Sequence, residues 1–140
     1  MSIIQVVILI FLALESSNIV ALYFAPQTKV ANAVGMFKAW EKSKQVPEVH
    51  AFVRYLVYWV AGTKLIFILL LAVIVIYADS DIQRISLAAL AMATTTFYWR
   101  MFPLIRKMDR QGQIEPKNYS TVLGIMIAVF VAVFSLAALL

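Results

Sequence analysis

Long apolar stretches, separated by short polar segments, make up most of this chain. A bilayer core about 30 Å thick is crossed by roughly 20 apolar residues in a helix, at about 1.5 Å per residue. Four stretches meet or approach this requirement: about 3–24, 52–77, 85–102 and 119–140. The third is short and contains three consecutive threonines, whereas the fourth is almost uninterrupted. The pattern predicts four transmembrane helices that run antiparallel to their neighbours along the chain.

The segment between the first two stretches is not uniformly polar. Pro26 is expected to end the first helix, because proline lacks a backbone N–H and clashes with the preceding turn. Apolar residues then recur at helical spacing between Lys29 and Lys44: Val30, Ala33, Val34, Phe37 and Trp40. This spacing predicts a short amphipathic helix in the membrane interface. The alternative is an extension that caps the bundle from the solvent side.

The predicted fold is therefore an all-α integral membrane protein, with residues 1–140 forming a single transmembrane domain. Its core is an antiparallel four-helix transmembrane bundle, and a short interfacial amphipathic helix lies in the first loop. We expect no cofactor and no metal ion in this domain.

The placement of charge predicts the orientation. The first long loop carries Lys29, Lys38, Lys42 and Lys44, and the second carries Arg106, Lys107, Arg110 and Lys117. The short connection after the second stretch is acidic, with Asp79 and Asp81. Because Lys and Arg concentrate in cytoplasmic loops, we expect both long basic loops in the cytoplasm and both termini outside. This topology accounts for the formal net charge of +5, so the charge gives no reason to expect nucleic acid as a partner.

Composition excludes several classes of protein and site. Hydrophobic residues make up 64% of the chain and charged residues 14%, against about 45–50% and about 25% in soluble domains. The chain has no cysteine and a single histidine, which excludes disulfides, thiolate metal sites, cysteine nucleophiles and histidine-rich metal sites. It also has no glycine-rich phosphate loop, HExxH or GxSxG motif. No catalytic residue is assigned, and any enzyme chemistry would have to occur within or at the edge of the bundle.

Polar residues inside the predicted helices fall at nearly one depth. At about 1.5 Å per residue, Glu15 and Lys64 lie roughly 18–20 Å from the outer edge, and the threonines roughly 14–16 Å. Asn18 shares a helix face with Glu15, since the two are three residues apart. Charges within membrane helices are rare and costly, so they suggest function by default. The predicted intramembrane polar site comprises Glu15, Asn18, Lys64, Thr94, Thr95 and Thr96.

A second set of cationic residues lies near the cytoplasmic edge. Arginine and lysine side chains in this position extend towards the headgroups and attract anionic lipids. The residues predicted to contact headgroups are His50, Arg54, Arg100, Arg106 and Lys107. A specific phosphate-recognising cluster is the alternative.

Three functions are compatible with these features. The leading hypothesis is a small transport or permeation component for an ion or small polar solute, acting through the polar layer as a homo-oligomer or with a larger membrane-protein partner. The second is a non-catalytic structural or accessory subunit of a larger complex, in which Glu15 and Lys64 pair to fix helix register. The third is a membrane enzyme that uses these two residues on a lipophilic substrate.

Overall fold

The protein is helical throughout. A computed structural model describes all residues, 1–140, and contains no β-strand. Its α-helices are α1 (Ile3–Phe24), α2 (Lys38–Ser43), α3 (Pro47–Tyr77), α4 (Ser80–Thr95), α5 (Phe97–Arg110) and α6 (Tyr119–Ala138), with one 3-10 turn at Val34–Met36. The prediction of an all-helical chain is confirmed.

Three helices are long and apolar enough to cross a membrane. Helices α1, α3 and α6 have 22, 31 and 20 residues, and each contains an 18-residue window with a mean hydropathy of 2.2, 2.6 and 2.6, respectively. Helix α1 coincides with the predicted stretch 3–24, and α6 fills most of 119–140. Helix α3 begins earlier than predicted, at Pro47, because proline in the first helical turn gives up no hydrogen bond. These helices fit the prediction of an integral membrane protein.

The third predicted span, 85–102, is divided between two helices. Helices α4 and α5 have 16 and 14 residues and meet at Thr96. The hydroxyls of Thr95 and Thr96 donate to the carbonyls of Ala91 and Ala93 in α4, a pattern that often bends helices. Each helix alone is shorter than a bilayer crossing requires. The four-helix transmembrane bundle is therefore not confirmed.

Helices α4 and α5 together pack along α6 over its whole length. Arg84 donates to the carbonyl of Leu140 at one end (2.7 Å), and Asp109 accepts from the Ser120 hydroxyl at the other (2.6 Å). Between them, the Tyr98 hydroxyl donates to the carbonyl of Gly124. A Cβ on Gly124 would lie 2.7 Å from the Phe102 ring, so glycine permits this close approach. Gly124 thus serves packing within the chain.

Helix α1 packs along α3, and this pair meets α4 and α6 in one apolar core. Three core residues, Ile8, Leu87 and Phe134, are almost completely buried. The Phe11 ring meets the Phe134 ring edge-on, with centroids 5.0 Å apart. The core therefore fills the end of the bundle near the two chain termini and leaves the opposite end to the loops.

The two long loops, residues 25–46 and 111–118, contact each other and form what is called here the loop cap. The backbone N–H of Lys38 donates to the carbonyl of Gln113, and that of Glu115 donates to the carbonyl of Met36, both at 2.9 Å. The Glu115 carboxylate lies 2.7 Å from Lys29 and 3.6 Å from Lys38. The hydrogen bond from Lys29 is the main reason why the pKa of Glu115 is below its usual value. Both basic loops consequently lie at the same end of the molecule.

The helix in the first loop is shorter than the 29–44 pattern predicts. Ala31 and Asn32 adopt left-handed φ values of 53° and 52°, which interrupt a right-handed helix. Only α2 and the 3-10 turn remain helical. Trp40 and Ser43 of α2 are buried, and α2 packs against α3. The segment thus covers the end of the bundle, as the capping alternative requires.

Asp109 is expected to stabilise the start of α6. Its carboxylate accepts from the Asn118 and Ser120 N–H groups and the Ser120 hydroxyl, and the Ser120 hydroxyl is the main cause that lowers the pKa of Asp109. A lowered folded pKa gives stability that is present above the unfolded pKa and is lost as the pH falls through the folded one. Asparagine has one acceptor oxygen in place of two and no charge, so we expect Asp109→Asn to cost about 1 kcal/mol at neutral pH, the usual net value of a hydrogen bond.

Thermal unfolding in detergent at neutral and acidic pH checks this expectation. The melting temperature of Asp109→Asn should lie below that of the wild type at neutral pH, and the difference should shrink on acidification. Asp81→Asn is the control, because Asp81 is 86% exposed. A deficit of Asp109→Asn that does not change with pH would contradict the assignment.

Candidate functional site

Glu15 and Lys64 form an ion pair between α1 and α3. The Lys64 Nζ lies 2.6 Å from Glu15 Oε2 and donates to Asn18 Oδ1 at 2.5 Å. The Glu15 and Lys64 side chains are 21% and 30% exposed. The structure thus brings together three residues of the predicted polar site.

Asn18 connects the ion pair to the loop cap. Its side chain is buried, and its Nδ2 donates to the carbonyl of Ala31 at 2.5 Å. Its Oδ1 accepts from Lys64, so both ends of the amide are engaged. Asn18 therefore positions Lys64 and fixes the left-handed turn of the loop above it.

The three threonines do not extend this hydrogen-bond network. Thr95 and Thr96 bond to carbonyls of their own helix, and Thr94 has no hydrogen-bond partner in the protein. Thr94 and Thr96 line the same cavity as Glu15 and Lys64, whereas Thr95 does not. The predicted layer is a set of groups around one cavity, with Thr95 outside it.

The cavity has a volume of about 740 Å³ and lies between α1, α3, the α4–α5 pair, α6 and the loop cap. Of its 24 lining residues, 18 are hydrophobic. The polar ones are Glu15, Asn18, Asn32, Lys64, Thr94 and Thr96. The only charges among them are those of the ion pair, and these cancel. The site is therefore a mostly apolar chamber that is formally neutral and has its only charged groups in one ion pair.

An aromatic cluster closes the cavity on the side of the bundle end that carries the two chain termini. Phe11 meets Phe67 and Phe130 edge-on, with centroid distances of 6.1 and 5.6 Å. All three rings line the cavity, and the fully buried residues Ile8 and Phe134 belong to the same core. No polar residue of the lining lies beyond this cluster. The polar surface of the cavity thus ends at the ion pair.

The cavity opens sideways between α3 and the α4–α5 pair. Helix α3 packs along α1 but makes few contacts with α4 and fewer with α5. Leu56 and Val60 of α3 and Met101 of α5 line the cavity while remaining 37%, 52% and 59% exposed. The entrance is therefore framed by apolar side chains on the face that lipid chains would cover.

Asn32 of the loop cap and Tyr119 at the start of α6 also line the cavity. The Tyr119 hydroxyl donates to Asn32 Oδ1 at 2.9 Å, and Phe37 packs edge-on against the Tyr119 ring. Neither residue was predicted as part of the site. They are 87 positions apart, and a tyrosine at the start of an apolar helix is typical of a membrane interface. Only the structure of the loops reveals their proximity.

The residues predicted to contact headgroups have separate local partners. His50 Nδ1 lies 2.8 Å from Ser43 Oγ, and Arg54 donates to the Tyr58 hydroxyl at 3.1 Å. Arg100 and Arg106 lie over the rings of their neighbours Trp99 and Phe102, and Lys107 shares a surface cleft with Arg106. None of these hydrogen bonds or ring contacts joins one cation to another. Their interaction with headgroups stays a prediction.

Breaking the ion pair on one side should destabilise the protein more than removing both charges. Glu15→Gln leaves the Lys64 ammonium in an apolar chamber, and we expect a loss of about 1–3 kcal/mol for such a part-buried pair. Glu15→Gln combined with Lys64→Met should regain part of it. Melting temperatures in detergent provide the measurement. Glu41→Gln is the control, because Glu41 belongs to an exposed ion pair, and it should leave the melting temperature unchanged. If the double variant lost the sum of the two single losses, the coupling between Glu15 and Lys64 would be contradicted.

No protein-family model, curated protein or solved structure matches this chain. The ion pair, the aromatic closure and the lateral entrance therefore provide the basis for a functional proposal.

Proposed function

We propose that this protein is a membrane transport component that takes up a small amphiphilic molecule sideways from the bilayer. The polar end of that molecule lies against the Glu15–Lys64 pair, and its apolar part occupies the rest of the chamber. The observation that carries the proposal is the cavity of about 740 Å³ with apolar walls, one polar region and a lateral entrance. Ligand sites generally have volumes of about 300–1,000 Å³ and mostly apolar linings with a few placed polar groups.

The cavity favours an amphiphile over an inorganic ion as cargo. A permeation path for ions requires polar groups or water along its length, whereas the polar lining here ends at the ion pair. The aromatic cluster lies between that pair and the bundle end near the chain termini, and it consists of Phe11, Phe67 and Phe130. An ion would have no compensating group there, while an apolar chain needs none.

Transport through a single copy would stop at the aromatic cluster. We therefore retain a second copy of the chain, or a larger membrane-protein partner, as part of the proposal. The anionic headgroups of the bilayer are the proposed contacts of the basic residues around the loop cap, through charge attraction. The basic face at the end of α5 supports this arrangement, since Lys107 and Arg110 lie in its last turn.

We further propose a four-crossing topology in which α4 and α5 together form the third crossing. Their contacts with α6 extend from Arg84 to Asp109, which supports a shared depth. Contacts between the two basic loops support a common side for both. By the rule for basic loops, that side is the cytoplasm and both termini are outside.

Single cysteines test this topology directly, because the protein has none of its own. Gln45→Cys and Gln111→Cys should react with a membrane-impermeant maleimide only after the membrane is opened. Ser80→Cys should react in intact cells or spheroplasts. If α4 and α5 did not cross, Gln111→Cys would be labelled from outside together with Ser80→Cys, which would contradict the proposal.

Filling the cavity should abolish uptake of the ligand. Ala93 lines the cavity, whereas its neighbour Met92 is 74% exposed and does not. We expect Ala93→Trp to weaken amphiphile binding at least about tenfold, since the indole takes the space of the ligand. Met92→Trp places the same side chain on the outer face of the helix and should bind as the wild type does.

The measurement is saturable binding of radiolabelled single-chain amphiphiles to the protein in nanodiscs, with empty nanodiscs as the baseline. Ligands with uncharged, anionic and cationic head groups are used, so that the result does not depend on the head group. Saturable binding that Ala93→Trp loses and Met92→Trp keeps would support the proposal. No saturable binding of any ligand, or equal binding by both variants, would contradict it and favour a structural subunit.

A further inference from the structure

We infer that the cavity selects an uncharged amphiphile whose head group both donates and accepts a hydrogen bond, such as an alcohol or a primary amide. This inference rests on the proposed function and names the chemical class of its ligand. It follows from the charge balance of the cavity and from the hydrogen-bonding groups left without a partner there.

The charge balance of the cavity disfavours an ionic head group. Glu15 and Lys64 are the only charged residues of the lining and lie 2.6 Å apart. A charged ligand would leave a net charge among apolar walls, which is costly without a counter-ion. An anion that displaced Glu15 from Lys64 would only transfer that cost to the carboxylate. An uncharged head group leaves the pair intact.

The ion pair still offers one donor and one acceptor. A lysine ammonium has three N–H groups, and the contacts of Lys64 with Asn18 Oδ1 and Glu15 Oε2 use at most two of them. Glu15 Oε1 accepts no hydrogen bond from the protein. Asn18 uses one N–H and one lone pair of its amide, so its second N–H is a further donor beside the pair. A hydroxyl or amide placed here could accept from Lys64 and donate to Glu15.

Thr94 supplies a second uncharged partner in the same chamber. Thr94 lines the cavity from α4, and its hydroxyl has no hydrogen-bond partner in the protein. A hydroxyl both donates and accepts, so it suits a second polar atom of an uncharged head group. The apolar tail then has the lateral entrance at Leu56, Val60 and Met101 as its path to the bilayer.

A series of single-chain ligands with the same tail tests the inference on the full chain. The heads are a hydroxyl, a sulfonate and a trimethylammonium group, whose charges do not change near neutral pH. Binding is measured to protein in nanodiscs of a zwitterionic lipid. We expect the alcohol to bind at least about tenfold more tightly than either ion.

A sulfonate or trimethylammonium ligand that binds as tightly as the alcohol, or more tightly, would overturn the inference while leaving the proposed function standing. Absence of saturable binding by all three would instead contradict the proposed function. The two failures are therefore distinguishable.

Variants of the ion pair provide an independent check. Glu15→Gln leaves one positive charge in the cavity and should shift the preference to the sulfonate. Glu15→Gln combined with Lys64→Gln keeps the cavity neutral and should retain the preference for the alcohol. An unchanged preference in Glu15→Gln would overturn the inference. If that variant does not fold, the order of the three binding affinities is compared between the wild type and the double variant. An order in which an ionic ligand comes first in either protein would overturn the inference.

Discussion

The Glu15–Lys64 ion pair is the contact on which the rest of the architecture depends. Neither charge is stable alone among apolar helices, so the pair fixes how α1 lies against α3. Asn18 extends this constraint, since it accepts from Lys64 and donates to Ala31 in the loop cap. One polar cluster thus sets the register of two helices and the position of the loop that covers them.

The cavity follows from how the remaining helices pack around this pair. Helices α4 and α5 follow α6 and leave α3 with few contacts on that side, so the chamber is open laterally. The aromatic cluster around Phe11 closes the end near the chain termini, and the Asn32–Tyr119 hydrogen bond joins the loop cap to α6 at the other end. In the proposed function the polar region is reached from the bilayer through this opening, and the ligand is an amphiphile rather than an ion.

Depth along each helix was enough to predict that Glu15 and Lys64 lie at one level, since a helix rises uniformly with residue number, and the spacing of three residues predicted Asn18 on the same face as Glu15. The division of the third apolar stretch was not predictable in this way, because it occurs at Thr96, where the Thr95 and Thr96 hydroxyls make local hydrogen bonds that leave no trace in the apolar pattern. The same limit applies to the loop cap. Left-handed turns at Ala31 and Asn32, and contacts between residues more than 80 positions apart, leave no periodic signal.

Photo-crosslinking tests most directly whether the cavity is a ligand site. A long-chain alcohol with a diazirine next to its hydroxyl would be activated in nanodiscs, and its adducts mapped by peptide mass spectrometry. The account predicts adducts on residues that line the cavity together with the ion pair, such as Phe67 and Thr94, and excess unlabelled alcohol should remove them. Adducts confined to exposed residues outside the cavity, such as Ile66 and Ile76, and unaffected by the competitor would contradict it.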